Sequence, residues 1–311
     1  MRPPWNDGLA PRWVTLRTEQ YPETYVAADE TAARAQVVHF RLLKTELVLL
    51  FGTAAAGSIA WSLFLESRTL PAVATALIFI LLIALGVIRY ARRYDRLWFR
   101  SRAIAESAKV ETWRFMMRNR PYSITDETQA EQIFLDQIQS LLSGVVPETG
   151  FNLAVRPQMG PEITDFMRSV RRQSIPERLT IYKNERVRDQ RDWYGRKAEW
   201  NARREGIWFF LTFGAQVLAA GLAVWIITTP VTALNPVGVI TTLAASGGSW
   251  SNARSHRELA QSYAMVSREL GILEEKARHI STEDQLASWV EEVEHSISRE
   301  HTMWVRRRAA S

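Results

Sequence analysis

Four long blocks without a charged side chain constrain this sequence more than any other feature. Three of them, residues 47–65, 70–88 and 207–227, are each nineteen residues or longer. About 20 residues at the α-helical rise cover the ~30 Å hydrocarbon core of a bilayer. A fourth block begins at Pro236, after Asn235, and is shorter and richer in Thr and Ser. The blocks predict an all-α integral membrane protein with four spanning helices.

The placement of charge favours membrane helices over the buried core helices of a soluble protein. The connections within the pairs, residues 66–69 and 228–235, are short, so each pair is predicted to form a helical hairpin. Of the 39 Lys and Arg residues, only Arg68 lies in a connection. Two hairpins leave all other basic residues on one side of the bilayer. The positive-inside rule then predicts a multi-pass protein of the inner (cytoplasmic) membrane with both termini cytoplasmic.

The amino-acid composition limits the kinds of partner and the kinds of chemistry that this chain can have. The absence of Cys excludes disulfides, thiolate metal sites and cysteine nucleophiles. A net charge of +6 suits an anionic partner, either nucleic acid or a phospholipid surface. Residues 177–205 predict a basic helix with interleaved aromatic rings, a pattern that could stack on nucleic acid. We expect instead that these rings pack on neighbouring helices, with no nucleic-acid partner. The rings are those of Tyr182, Trp193, Tyr194 and Trp200.

The chain has an internal repeat. The two hairpins are regularly spaced, and each is followed by a similar tetrapeptide on a charged helix, Ile104-Ala105-Glu106-Ser107 and Leu259-Ala260-Gln261-Ser262. Two copies of one unit explain this spacing. We predict a tail over residues 1–20, a first unit over 21–119, a partly helical cytoplasmic linker over 120–176 and a second unit over 177–311.

Amphipathic patterns predict further helices outside the blocks. Residues 89–118, 128–142 and 162–173 each carry apolar side chains at helical spacing. Near the C-terminus, Ser281 and Asp284 have capping-box spacing. The apolar face of the helix that follows is formed by Leu286, Trp289, Val290, Val293 and Ile297. With the long basic helices, these segments predict a cytoplasmic helical bundle.

The sequence has no anchoring motif for catalysis. Walker-type loops, GxGxxG, GxSxG and HExxH are absent, so we expect no enzyme, no catalytic residue and no cofactor. The five His residues are dispersed, and we interpret them as surface side chains rather than metal ligands.

Two stripes of small or polar residues inside the blocks are the candidate functional residues. On a helical wheel, one quarter of the fourth helix carries Asn235, Gly238, Thr242, Ser246 and Ser249. Such a face either packs closely against other helices or lines water in an oligomer. In the first helix, Gly52, Ala56 and Ala60 form a small-xxx-small line, which favours close helix packing. The absence of intramembrane charge argues against a proton relay.

Three stretches resemble a known family. They are AIAESAKVETWRFMMRNRPY from Ala103, RVRDQRDWYGRKAEWNARR from Arg186 and ISREHTMWVRRR from Ile297. The chain resembles the SLATT proteins, two-transmembrane effector domains associated with SMODS nucleotidyltransferases and SLOG sensors, in a tandem form. The resemblance implies a prokaryotic conflict-system effector that oligomerises and opens or disrupts the inner membrane. Nucleotide sensing would then need a separate partner or a site in the cytoplasmic bundle. A gated pore is the leading hypothesis, and a non-conducting scaffold that anchors a cytoplasmic partner is the alternative.

Overall fold

A computed structural model describes residues 18–63, 69–143, 160–228 and 236–309 of the chain. Every regular element in these ranges is helical. The ten α-helices are α1 (Glu23–Leu63), α2 (Thr69–Arg92), α3 (Tyr94–Met116), α4 (Glu127–Ser143), α5 (Asp165–Arg171), α6 (Ile175–Tyr182), α7 (Asp189–Thr228), α8 (Val237–Arg254), α9 (His256–Lys276) and α10 (Glu283–Ala309). A π-helical segment, Lys183–Arg188, joins α6 to α7.

The amphipathic patterns locate the helices outside the apolar blocks, with small shifts at their ends. Helix α4 matches the predicted helix over residues 128–142, whereas α5 is shorter than the predicted 162–173. The predicted apolar face of α10 is confirmed, because all five of its side chains are buried. Burial against the rest of the chain, rather than propensity alone, selects these segments as helices.

Polar side chains cap the first turns of α5 and α10. Thr164 accepts a hydrogen bond from the Met167 backbone N–H at 3.3 Å and begins α5. The predicted cap of α10 is wrong by one residue. The Thr282 hydroxyl, not Ser281, accepts from the Gln285 N–H at 3.3 Å, and the Gln285 amide oxygen accepts in return from the Thr282 N–H. Both registers satisfy the capping pattern, and the longer Gln side chain reaches back.

Each copy of the repeat has a helix break at the same place, after the second helix of its hairpin. Arg93 (φ 42°) separates α2 from α3, and Ser255 (φ 51°) separates α8 from α9. These residues occupy the left-handed region, which is uncommon for residues other than glycine. The helix predicted over residues 89–118 is therefore two helices that change direction at Arg93.

The chain divides into two compact units that cut across the repeat. The packed unit comprises the described parts of Met1–Val37, Asp95–Lys197 and Ser262–Ser311. The hairpin unit comprises the described parts of Val38–Tyr94 and Ala198–Gln261. Each unit takes segments from both halves of the sequence. Helices α1, α7 and α9 contribute residues to both units.

The packed unit has one large apolar core. It is built from α3, α4, α5, α6, the start of α7, α9 and α10. Tyr182 lies between two indoles, with edge-on ring contacts to Trp113 at 5.3 Å and Trp289 at 5.4 Å. The Trp289 indole N–H donates to the Leu273 carbonyl at 2.8 Å, so this large side chain is buried with its polar atom satisfied.

The hairpin unit is held by a few contacts near the ends of its helices. Arg89 on α2 forms an ion pair with Glu46 on α1 at 2.6 Å. The Phe40 ring on α1 meets the Trp250 ring on α8 edge-on at 5.9 Å. The Arg254 guanidinium lies 3.9 Å from the centre of the Phe40 ring. The two contacts of Phe40, with Trp250 and Arg254, join the first hairpin to the second.

Candidate membrane-spanning site

Two helical segments of the described residues are long and apolar enough to cross a membrane. They are Ala72–Met116 and Ile175–Ile227, and they contain residues 72–88 of the second predicted block and the whole third block. None of the most apolar window of the first segment is buried, and only 6% of that of the second. A core helix of a soluble protein would be mostly covered by the rest of the chain. These two helices instead present their apolar side chains outward.

The exposed apolar side chains surround much of α2 and α7. Ile83 is 66% exposed and Phe210 is 72% exposed. Others on the two helices are Val73, Leu77, Ile80, Val87, Ile207, Leu211, Phe213, Val217 and Val224. Soluble monomers rarely expose contiguous apolar surface of this extent, because each Å² left in water costs about 25 cal/mol. A hydrocarbon solvent removes that cost.

The first and fourth blocks remain predictions as membrane spans. Helix α1 contains residues 47–63 of the first block, and the rest of that block lies outside the described residues. Helix α8, which contains the fourth block, is not one of the two segments that meet the length and hydropathy requirement. Its Thr, Ser and Gly residues lower its hydropathy.

Paired polar contacts align the two helices of each hairpin. Glu46 precedes the first block and Arg89 follows the second, so their ion pair brings the start of one block level with the end of the other. In the second hairpin, Asn201 precedes the third block and His256 follows the fourth. The Asn201 amide oxygen lies 2.8 Å from His256 Nδ1.

His256 corrects the interpretation of all five histidines as surface side chains. It is 5% exposed, and its ring meets the Trp200 ring at 5.5 Å. Burial, with the nearby Arg254 and Arg204, lowers the pKa of His256 to about 4. The imidazole is therefore neutral near pH 7. Among the described residues, no group of three His, Asp or Glu could hold a metal ion.

The structure locates four of the five predicted pore-lining residues on α8. Gly238 and Ser249 are exposed, and Thr242 and Ser246 are half-buried. The Thr242 hydroxyl donates to the Gly238 carbonyl at 2.8 Å, which satisfies its proton within the helix. Asn235 lies outside the described residues.

The opposite face of α8 packs on α7. Ala244 is 6% exposed, and a Cβ atom at Gly247 would lie 3.1 Å from Thr212 Cγ2. Since successive residues turn by about 100°, the centre of the predicted polar face lies about 140° from Gly247, the residue that meets α7. The hairpin contact therefore leaves the polar face uncovered by α7.

The predicted small-residue line on α1 has no close neighbour where the structure describes it. A Cβ atom at Gly52 would meet nothing within 4 Å, and Ala56 is half-buried. The side chain of Ala60 lies outside the described residues. Close helix packing along this line stays a prediction.

Sequence reasoning missed a buried ion pair in the packed unit. Arg186 donates to both carboxylate oxygens of Glu294, at 3.0 and 2.7 Å, and the two side chains are 1% and 0% exposed. The Tyr182 hydroxyl also donates to Glu294, at 2.8 Å. Burial and the Glu294 charge raise the pKa of Tyr182, which keeps its hydroxyl protonated. The available signal in the sequence was the carboxylate of Glu294, which lies among the apolar positions of α10 and so indicates a buried charge.

Two further buried arginines hold the segment between α3 and α4. Arg171 donates to the carbonyls of Phe115 and Tyr122, each at 2.8 Å. Arg178 donates to the Met117 carbonyl at 2.9 Å and pairs with Glu283. The aromatic residues of the predicted basic helix also pack inward, with Tyr182 and Tyr194 buried and Trp193 half-buried. Only Trp200 of that set is exposed.

The helical fold and the exposed apolar segments define the class as an all-helical membrane protein. Residues 22–179 match SMODS and SLOG-associating 2TM effector domain 3, and residues 182–304 match SMODS and SLOG-associating 2TM effector domain 1. The chain belongs to this SLATT family of two-transmembrane effector domains of conflict systems, with one domain in each half, as the resemblance predicted. No curated protein and no solved structure matches it.

Proposed function

We propose that this chain is the membrane effector of a prokaryotic conflict or nucleotide-signalling system and forms a gated homo-oligomeric pore in the inner membrane. The observation that carries the proposal is the orientation of α8. Its small and polar face points away from α7, while its packed face holds the hairpin together. In an oligomer, the α8 helices of several copies line the passage with Gly238, Thr242, Ser246 and Ser249.

The chemistry of this face suits a regulated passage. Small side chains let helices from neighbouring copies approach closely in the closed state. The hydroxyl proton of Thr242 is satisfied by the Gly238 carbonyl of its own helix, at 2.8 Å. The free lone pairs then accept hydrogen bonds from water when the helices separate. The same face therefore supports a packed and a solvated arrangement.

The packed unit is the proposed receiver of the activating signal. Helices α1 and α7 run from it into the hairpin unit without a break, so a rearrangement of the packed unit is transmitted along the chain. A separate nucleotide-sensing partner would supply the rearrangement. Both termini and the packed unit lie on the cytoplasmic side in this proposal, as the distribution of basic residues favours.

A pair of adjacent threonines tests the pore. Thr242 lies on the proposed lining face, whereas Thr241 lies about 100° around the helix from it. We expect Thr242→Leu to abolish ion flux in proteoliposomes made with the full chain, and Thr241→Leu to leave it within about twofold. Toxicity on overexpression should follow the same order. Ser246→Leu is expected to behave like Thr242→Leu.

The pore proposal fails if the oligomeric wild-type chain gives no flux with its activator and Thr242→Leu leaves toxicity unchanged. It also fails if Thr241→Leu and Thr242→Leu reduce flux equally, since the proposed lining face would then matter no more for flux than the neighbouring face. A soluble-dye efflux measurement, run beside a potassium flux assay, separates conduction from general bilayer rupture.

A non-conducting scaffold is the second candidate, and exposed apolar side chains on α4 favour it. Leu135 and Leu142 are 44% and 40% exposed on the central segment. Side chains seven residues apart lie on one helix face and suit a partner protein. The scaffold predicts that Leu135→Asp with Leu142→Asp abolishes partner recruitment. Thr242→Leu would then have no effect on either permeability or recruitment.

A further inference from the structure

The hairpin unit carries many cationic side chains at one end of its helices. Glu46 contacts Arg89, Asn201 contacts His256, and Phe40 contacts Trp250 and Arg254, so these contacts place the adjoining helix ends at one level. The cationic side chains of the unit near this level are Arg41, Lys44, Arg89, Arg92, Arg93, Arg203, Arg204, Arg254 and Arg257.

The carboxylates of the same unit do not balance this charge. Among its described residues they are Glu46, Glu199, Glu205 and Glu258, against nine cations. Glu46 forms an ion pair with Arg89, and Glu199 lies 3.9 Å from Arg203. The excess positive charge has no counterpart in the described part of the hairpin unit.

Among the described cations of the first hairpin, four form no ion pair with any described residue, and only Arg89 does. Arg41 and Lys44 lie on the exposed surface of α1, Arg92 is exposed at the end of α2, and Arg93 is half-buried. We call these four residues the basic collar. Because no described residue pairs with these charges, an anion can bind them without first displacing a described partner.

The basic collar adjoins the exposed apolar surface. Val87 and Ile88 are 61% and 45% exposed, one turn before Arg92 and Arg93. On α1, Val48 is 58% exposed one turn after Lys44. Tyr90, 82% exposed, lies between the apolar and cationic side chains of α2, where an amphipathic ring prefers the headgroup level. Towards the basic collar, the side chains of both helices change from apolar to aromatic or polar and then to cationic. This order matches the layers of a bilayer leaflet.

We propose that the basic collar binds the phosphate groups of anionic phospholipids and makes the protein selective for them over zwitterionic lipids. The inference rests on the proposed membrane insertion and deepens it by naming the lipid class. Anionic headgroups fit because the cations end a helix whose apolar side chains enter the same leaflet. A nucleic acid would have to approach the same charges against the bilayer surface.

Purified full chain in mild detergent, titrated with phosphatidylglycerol or with phosphatidylcholine and read by native mass spectrometry, tests the proposal. We expect the wild type to retain phosphatidylglycerol in preference. Arg92→Gln with Arg93→Gln should weaken that binding by about tenfold or more, since each cation near an anionic surface contributes several-fold. Arg92→Lys with Arg93→Lys should restore it.

The matched control removes an equal positive charge, two arginines, from the packed unit instead of the hairpin unit. Arg120 and Arg278 are exposed there, and Arg120→Gln with Arg278→Gln should leave phosphatidylglycerol binding within about twofold. Equal binding of the two lipids by the wild type overturns the proposal. Equal losses in the two double variants overturn it as well, since net charge alone would then act. A single-stranded oligonucleotide that displaces the lipid from the wild type, but not from the Gln double variant, would assign the collar to nucleic acid instead.

Carbonate extraction distinguishes this failure from failure of the proposed function. If the chain resists extraction from native membranes but shows no lipid preference, the collar proposal alone is wrong. If the chain is extracted as a peripheral protein, membrane insertion is wrong, and with it the pore.

Discussion

The packed unit and the hairpin unit differ in what covers their apolar side chains. In the packed unit, the chain buries its own large residues, such as Trp113, Phe134 and Leu286, and encloses charges among them. In the hairpin unit, residues of equal size, such as Ile83 and Phe210, are exposed. The packed unit therefore completes its core with its own side chains, whereas in the proposed account lipid covers the exposed side chains of the hairpin unit.

Removal of a buried charge partner should have the largest effect, and it tests how completely the packed unit encloses its core. Glu294→Ala leaves Arg186 charged and unpaired, and we expect the free energy of unfolding to fall by about 3–5 kcal/mol. Thermal unfolding of the detergent-solubilised chain measures this loss.

Glu291 supplies the matched control on the same helix. Its side chain is exposed, and Glu291→Ala should change stability by no more than about 0.5 kcal/mol. Similar losses in the two variants would mean that the Arg186–Glu294 pair is open to water, and the contrast between the units would weaken.

A smaller effect is expected where the hairpin unit does pack on itself. Gly247 lies against Thr212, whereas a Cβ atom at the adjacent Gly248 would meet nothing within 4 Å. Gly247→Leu should destabilise the protein by about 1–3 kcal/mol through overpacking. Gly248→Leu should be neutral or stabilising. The same thermal measurement separates them, and a reversed order would place α8 with its other face on α7.

Much of this division could be predicted from the sequence. The spans in α2 and α7 depend on local hydropathy, because lipid contacts each residue independently of distant parts of the chain. The buried face of α10 follows from helical periodicity. The Arg186–Glu294 pair could not be found in this way, since its partners are 108 residues apart in the chain. The burial of His256 depends on a similar distant contact, with Asn201, and on no local pattern.

The candidate site was predicted only in part. A helical wheel grouped Gly238, Thr242 and Ser246 on one face of α8. It did not decide whether that face packs closely against other helices or lines water. Which face of α8 meets α7 depends on the fit of Gly247 to Thr212, and no periodicity distinguishes that glycine from its neighbours. The cap of α10 failed for a related reason, because Ser281 and Thr282 both start acceptable capping patterns.

The smallest expected effect is a pH dependence confined to the hairpin unit. The folded state lowers the pKa of His256 from its usual value near 6.5 to about 4, so the unfolded state binds the proton more tightly. Stability is full above about pH 6.5 and falls as the pH drops towards 4. We expect a loss on the order of 1–2 kcal/mol between pH 7 and pH 5.

Variants of two histidines assign this pH dependence. His256→Gln should remove that part of the loss, as Gln does not titrate. His279, exposed in the packed unit, is the control, and His279→Gln should retain the wild-type pH dependence. Identical profiles for wild type and His256→Gln would mean that His256 is open to solvent.

Labelling of two isoleucines tests the central claim most directly. Ile83 in the hairpin unit and Ile272 in the packed unit are 66% and 62% exposed, and the chain has no native Cys to interfere. Single Ile83→Cys and Ile272→Cys variants would be treated with a charged maleimide in permeabilised cells, with labelling after denaturation in SDS as the full-reaction standard. We predict fast labelling at residue 272 and protection at residue 83. Equal labelling at the two positions would contradict a lipid-covered hairpin unit.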